Sequence, residues 1–151
     1  MTSTPLRNLG HVVLNVRSLP VSTRFYCEAL SLTEIGRNAE RGMVFLSFGV
    51  NDHDIALREV EPTAAGHDES AVGLRHVAFR IGAELADLRA FKAHLDARQI
   101  PIRRVHEHLV STSIYFADPD GIELEGYVEH SPEVPRREPA TTRFSRPARI
   151  D

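Results

Sequence analysis

Residues 105–127 read VHEHLVSTSIYFADPDGIELEGY, two strands joined by a tight turn. Asp118-Pro119-Asp120-Gly121 is turn chemistry: Pro119 presets φ, Asp118 can cap the turn, and Gly121 tolerates the backbone that follows. The flanks alternate with period two. Val110, Ile114, Phe116, Ile122, Leu124 and Val128 fall on one face, and Ser111, Ser113, Tyr115, Glu123, Glu125 and Tyr127 on the other. A surface hairpin with its polar face in water fits this alternation. So does a site, because two histidines, a tyrosine and two glutamates gather on or near one face. If Ala117 pairs with Glu123, Tyr115 sits directly across from Glu125.

Working outward, a similar pattern occurs twice. Leu9–Val16 reads LGHVVLNV and Leu74–Ile81 reads LRHVAFRI, with His11 and His76 at matching places. A helical period follows each. In the first, Ser18 is the expected N-cap, Pro20 lies in the first turn, and Phe25, Ala29 and Leu30 form the apolar stripe to about residue 31. In the second, over 83–98, Leu85, Leu88, Phe91, Ala93 and Leu95 form a buried stripe. Strands are expected at 32–37, 43–48, 53–60 and 102–105, with a polar surface loop over 61–73. The chain is thus α+β, two βαβββ modules of about 60 residues. They run from about 7 to 62 and from about 72 to 128 within one domain of residues 1–128. Residues 129–151 hold four of the nine prolines and are expected to be an extended tail.

Composition narrows the classes. With 151 residues, 42% hydrophobic, 26% charged and a net charge of −3, the chain has no basic footprint for nucleic acid and no run long enough for a membrane helix. The N-terminus lacks a secretory h-region, so a cytoplasmic location is expected. The single cysteine, Cys27, excludes an internal disulfide framework and is expected in the core or on a helix surface.

His11, His76 and Glu125 make two imidazoles and a carboxylate, each expected on a different strand. Such a set can bind one face of an octahedral ion and suits non-heme Fe(II). A lone strand histidine is more often structural. Two at equivalent places of two repeats are harder to dismiss.

On these residues the chain resembles the vicinal-oxygen-chelate proteins, the family of glyoxalase I, fosfomycin- and bleomycin-resistance proteins and type I extradiol dioxygenases. The resemblance covers about residues 7–128. It implies a cupped mixed sheet around a metal site, with His11, His76 and Glu125 as ligands; Glu123 stands two residues too early. His106, Tyr115 and Glu125 fit the extradiol pattern H-x(8)-Y-x(9)-E, SIYFADPDG echoes its turn, and His53 in HDIAL fits its active-site histidine. The chain is similar to a one-domain form of that branch.

The resemblance implies ring cleavage of a catechol-type diol with O₂ on Fe(II), with Mn(II) as the other ion the ligand set accepts. His53 would be the acid–base residue, Tyr115 would hydrogen-bond a substrate oxygen, and His106 would orient it. His108 would support the site or lie at the surface. His67, His94 and His130 receive no role and are expected in solvent. The partners are a small aromatic diol and O₂, with no nucleic acid or membrane, and a homo-oligomer is expected. Alternatives are a glyoxalase-like isomerase or thiol transferase on the same metal scaffold, a metal-free small-molecule-binding resistance protein, or a relative that keeps only the fold.

Overall fold

In the computed structural model, residues 8–129 and 145–151 are described. The chain divides into two compact units, Met1–Ala65 and Gly66–Asp151.

The first unit begins with β1 (Val12–Val16), whose Leu14 and Val16 are buried while Val13 and Asn15 face out. α1 (Leu19–Leu30) buries Ser22, Tyr26 and Ala29, a helical i, i+4, i+7 stripe. Tyr26 is fully buried and contributes about 1.5–3 kcal/mol in removed apolar surface. The expected cap is replaced. Ser18 makes no side-chain cap, and the Leu19 N–H donates to Glu59 Oε1 at 2.9 Å. A carboxylate at a helix N-terminus satisfies an orphan donor and complements the dipole. Ser31, left-handed at φ 56°, ends the helix. β2 (Thr33–Asn38), β3 (Met43–Ser47) and β4 (Ile55–Glu59) complete a mixed sheet in the order β1-β4-β3-β2. β1 runs parallel to β4 and the other pairs are antiparallel.

The second unit repeats this order. β5 (Val77–Gly82) runs parallel to β8 (Glu123–Glu129), and β7 (Ser111–Ala117) and β6 (Arg104–His108) follow antiparallel. β6 starts at Arg104 rather than Ile102. A fifth strand, β9 (Ser145–Pro147), lies antiparallel on β6. The last residues of the expected tail therefore belong to the sheet, whereas 130–144 lie outside the described residues.

α2 (Leu85–Ala97) carries a reciprocal capping box between Glu84 and Asp87. It buries Leu88 and Leu95, while Leu85 is 39% exposed, not part of the buried stripe expected from the sequence. Gly126 explains how close α2 lies to the sheet: a Cβ there would meet the Phe91 ring at 2.5 Å. Phe91 in turn packs edge-on against Phe116.

The α+β class and the repeated βαβββ order hold. No helix among the described residues is long and apolar enough to cross a membrane.

Candidate active site

The turn at 118–121 sets the register of the second unit's central hairpin. Asp118 Oδ1 accepts from the N–H groups of Asp120 and Ile122 at 2.9 and 2.8 Å, and Gly121 takes φ +91°. Ala117 then pairs with Glu123 and Tyr115 with Glu125, as the alternation requires. The hairpin is not a surface ribbon. Ile114 and Phe116 are buried on one face, and Ser113, Tyr115, Glu123 and Glu125 on the other.

Burying that polar face is tolerable only because its groups are partnered. Ser113 Oγ donates to Glu125 Oε1 at 2.5 Å. Glu125 Oε2 stands 3.0 Å from His76 Nε2. Tyr115 packs edge-on to His76 at 5.9 Å, and its hydroxyl is 3.1 Å from His108 Nε2. The Arg104 guanidinium lies 4.0 Å over the Tyr115 ring, a cation–π contact, and grips the fully buried Glu123 through two bonds of 2.6 Å. Glu123 Oε1 also stands 3.9 Å from His76 Nδ1.

The electrostatics follow from this packing. Burial pushes the Tyr115 phenol up to about 12, and the Glu125 charge adds to the shift, so the phenol keeps its proton at every physiological pH. Burial pulls His108 down, which favours a neutral imidazole beside that phenol. With its proton on Nε2, His108 donates to the Tyr115 oxygen and leaves the phenol proton for another acceptor. Burial opposes ionisation of Glu123, yet the Arg104 bonds and the Arg104, Arg75 and His76 charges outweigh it and hold the carboxyl low. Burial raises the Cys27 thiol, which removes it as a nucleophile at neutral pH.

In the first unit, His11 and His53 are neighbours, with ring centroids 4.3 Å apart. Phe45 packs edge-on to His53 at 5.2 Å, and His53 Nδ1 is 2.8 Å from Asp52 Oδ2. His11 and His76 are the residues just before β1 and β5, not within the strands, and His53 lies two residues before β4. The ladders end there, so these three side chains stand at strand mouths.

The expected site residues therefore form two groups. His76, Glu125 and Tyr115, with His106 6.0 Å from Tyr115 between ring centroids, belong to the second unit. His11 and His53 belong to the first. Within neither unit do the described residues bring three His, Cys, Asp or Glu side chains into one metal-binding group. The expected ligand set of His11, His76 and Glu125 is contained in neither unit alone.

The His76–Glu125 pair fits a divalent ion. Two donor atoms bound at about 2.1 Å and at right angles stand about 3.0 Å apart. Ser113 fixes the other carboxylate oxygen, as an outer partner of a ligand does. The same separation also serves a direct hydrogen bond when the imidazole carries a proton on Nε2.

Comparison with known proteins gives this geometry its context. Residues 8–125 match the family model for the Glyoxalase/Bleomycin resistance protein/Dioxygenase superfamily. The chain belongs to that superfamily. It is 34% identical over 133 residues to biphenyl-2,3-diol 1,2-dioxygenase 3 of Rhodococcus globerulus, covering 86% of this chain and 66% of that protein. It is 29% identical to biphenyl-2,3-diol 1,2-dioxygenase 2 of the same organism, covering 83% of this chain and 64% of that protein. The chain thus spans about two thirds of the length of these relatives. Among solved structures, a domain of the superfamily from Frankia sp. EAN1pec superposes with a TM-score of 0.70 at 27% identity, covering 83% of this chain and all of that one. A fosfomycin resistance protein from Listeria monocytogenes reaches a TM-score of 0.69 at 20% identity, covering 89% of this chain and 100% of that one, a likeness of fold alone.

Several residues escaped the sequence reading. Ser113 was visible as a polar member of the alternation, but nothing marked it as the partner of Glu125. His108 was left between two roles, and the structure gives it the Tyr115 hydroxyl. Arg104 carried no signal, since its partners lie on two other strands. His67 was expected in solvent; it is half-buried, and its Nε2 is enclosed. His94, also expected in solvent, is half-buried on α2 and stacks on Phe91. His130 lies outside the described residues.

Proposed function

We propose that this chain is a metal-dependent extradiol ring-cleavage dioxygenase that inserts O₂ into a catechol-type diol. The observation that carries the reading is the His76–Glu125 pair, 3.0 Å apart, with Ser113 on the carboxylate and Tyr115 beside the imidazole. The dioxygenase relatives support it. The proposed ligands are His76, Glu125 and His11, which precedes β1 as His76 precedes β5. The ion is Fe(II), with Mn(II) as the other candidate. When bound, such an ion lowers the pKa of a chelated hydroxyl and templates diol and O₂ at open positions.

The side chains supply the rest. Tyr115, protonated throughout, donates a hydrogen bond to a substrate oxygen. His108, with its proton on Nε2, donates to that phenol oxygen and keeps it oriented. His53 is the acid–base residue: an imidazole can take a substrate proton on a ring nitrogen and return it. His106 orients the substrate from β6. The apolar face of the hairpin gives the polar one a rigid backing.

The test is anaerobic reconstitution with Fe(II), followed by 2,3-dihydroxybiphenyl or catechol in air. A yellow ring-fission product is expected. Stoichiometric iron with no colour from a panel of catechols would overturn ring cleavage in favour of an isomerase or transferase on the same scaffold. No binding of any divalent ion would overturn the ligand set. His53→Phe is expected to keep its iron and lose most of the turnover; cleavage at the wild-type rate would remove the role given to His53.

A further inference from the structure

The C-terminal strand reaches the site. β9 lies on β6, the strand that carries His106 and His108. Its seat does not depend on any one side chain. Ala148 N–H donates to the Val105 carbonyl at 3.0 Å, and Arg146 bonds Glu107 twice, at 2.8 and 3.1 Å. Ile150 is 7% exposed, and the Arg89 guanidinium of α2 holds the Asp151 main-chain oxygen. On this seat Ser145 Oγ stands 2.8 Å from His106 Nδ1. On its other side His106 pairs with Ser113, the residue that fixes Glu125.

An imidazole has two ring nitrogens, and a partner that occupies one orients the ring and leaves the other to the site. We propose that Ser145 is a positioning residue for His106: it engages Nδ1, fixes the orientation of the ring, and leaves Nε2 as the nitrogen available to a substrate oxygen. The C-terminal strand is then part of the substrate-orienting apparatus. This deepens the dioxygenase reading and rests on it for the substrate, but the contact between Ser145 and His106 stands apart from it.

The experiment uses the full chain labelled with ¹⁵N. Long-range ¹H–¹⁵N correlations are expected to show the His106 Nδ1 resonance displaced by its hydroxyl partner. Ser145→Ala should move the His106 ring-nitrogen resonances, while Ser145→Thr keeps them in place; His94 serves as the unmoved reference. With iron-loaded protein and 2,3-dihydroxybiphenyl, Ser145→Ala is expected to raise KM about three- to tenfold with kcat nearly unchanged, the scale of one lost hydrogen bond. Added to His106→Phe it should do nothing further. An unchanged His106 spectrum in Ser145→Ala, or full additivity with His106→Phe, would overturn the proposal. If the wild type turns over no catechol, the dioxygenase reading fails by itself, and the ring-nitrogen resonances still decide the contact.

Discussion

The two units share a strand order but use one face of their sheets differently. Val12 pairs with Ile55 where Val77 pairs with Leu124, so the registers align residue by residue. His11 then corresponds to His76, and Ala56 to Glu125. Phe45, opposite Ala56, corresponds to Tyr115, and Met43 to Ser113. Where the second unit has serine, tyrosine and glutamate, the first has methionine, phenylalanine and alanine. Of these site side chains, the histidine before the parallel strand is common to both. The lesson is that one backbone plan tolerates either an apolar or an ionisable layer, provided every buried polar group in the latter has a partner. In its place the first unit carries His53, whose counterpart in the second is Ile122.

The comparison is broken most severely at Glu125. Glu125→Ala gives β8 the residue that β4 has, and is expected to weaken divalent-ion binding by about 100-fold or more, since it removes a ligand and not merely its support. Anaerobic Fe(II) titration checks this; unchanged affinity would take Glu125 out of the ligand set.

Glu123 comes next. Its charge is enclosed and gripped by Arg104, so Glu123→Gln is expected to cost about 2–4 kcal/mol in urea unfolding, a buried-pair value reduced for the one-third exposure of Arg104. The sign with pH is fixed. The folded carboxyl titrates below its unfolded value, so its contribution is complete above the unfolded pKa near 4.3 and is lost as pH falls through the folded one. The variant should lack that acid-limb loss. An identical acid limb in both proteins would assign the effect to another carboxyl.

Tyr115→Phe copies Phe45 into the second unit. It is expected to cost about 0.5–1.5 kcal/mol through the lost contact with His108. It should also delete the ultraviolet phenolate transition near pH 12 from the folded protein. A tyrosine still titrating there in the variant would show that the transition belongs to another ring.

The smallest effect concerns the helix cap. Ser18→Ala is expected to change stability by less than about 0.5 kcal/mol, whereas Glu59→Gln should cost about 0.5–1 kcal/mol. A larger loss at Ser18 would return the cap to its hydroxyl.

Much of this was legible in the chain. Period-two alternation and the Asp118–Gly121 turn fixed the hairpin register, because turn length and a two-residue repeat leave little freedom. The matched His11 and His76 segments revealed the repeat. What escaped was partnership across strands. Ser113, His108 and Arg104 find their partners through registers set by several strands at once, and no local spacing encodes that. The Ser18 cap failed for the same reason: Glu59, forty residues away, takes the N–H first. Strand starts were misplaced by two or three residues around His11, His53 and His76, since pattern does not tell the last paired residue from the first unpaired one.

β9 has a consequence for handling the protein. In the second unit it covers the outer edge of β6, while the first unit ends on β2, a strand bulged between Glu34 and Gly36. Both devices blunt an open edge, one by pairing and one by distortion. Trimming the last residues as dispensable would uncover a ladder of unpaired amides and carbonyls on β6. The shortened chain would then self-associate by strand addition, and its solubility would be the first property to suffer.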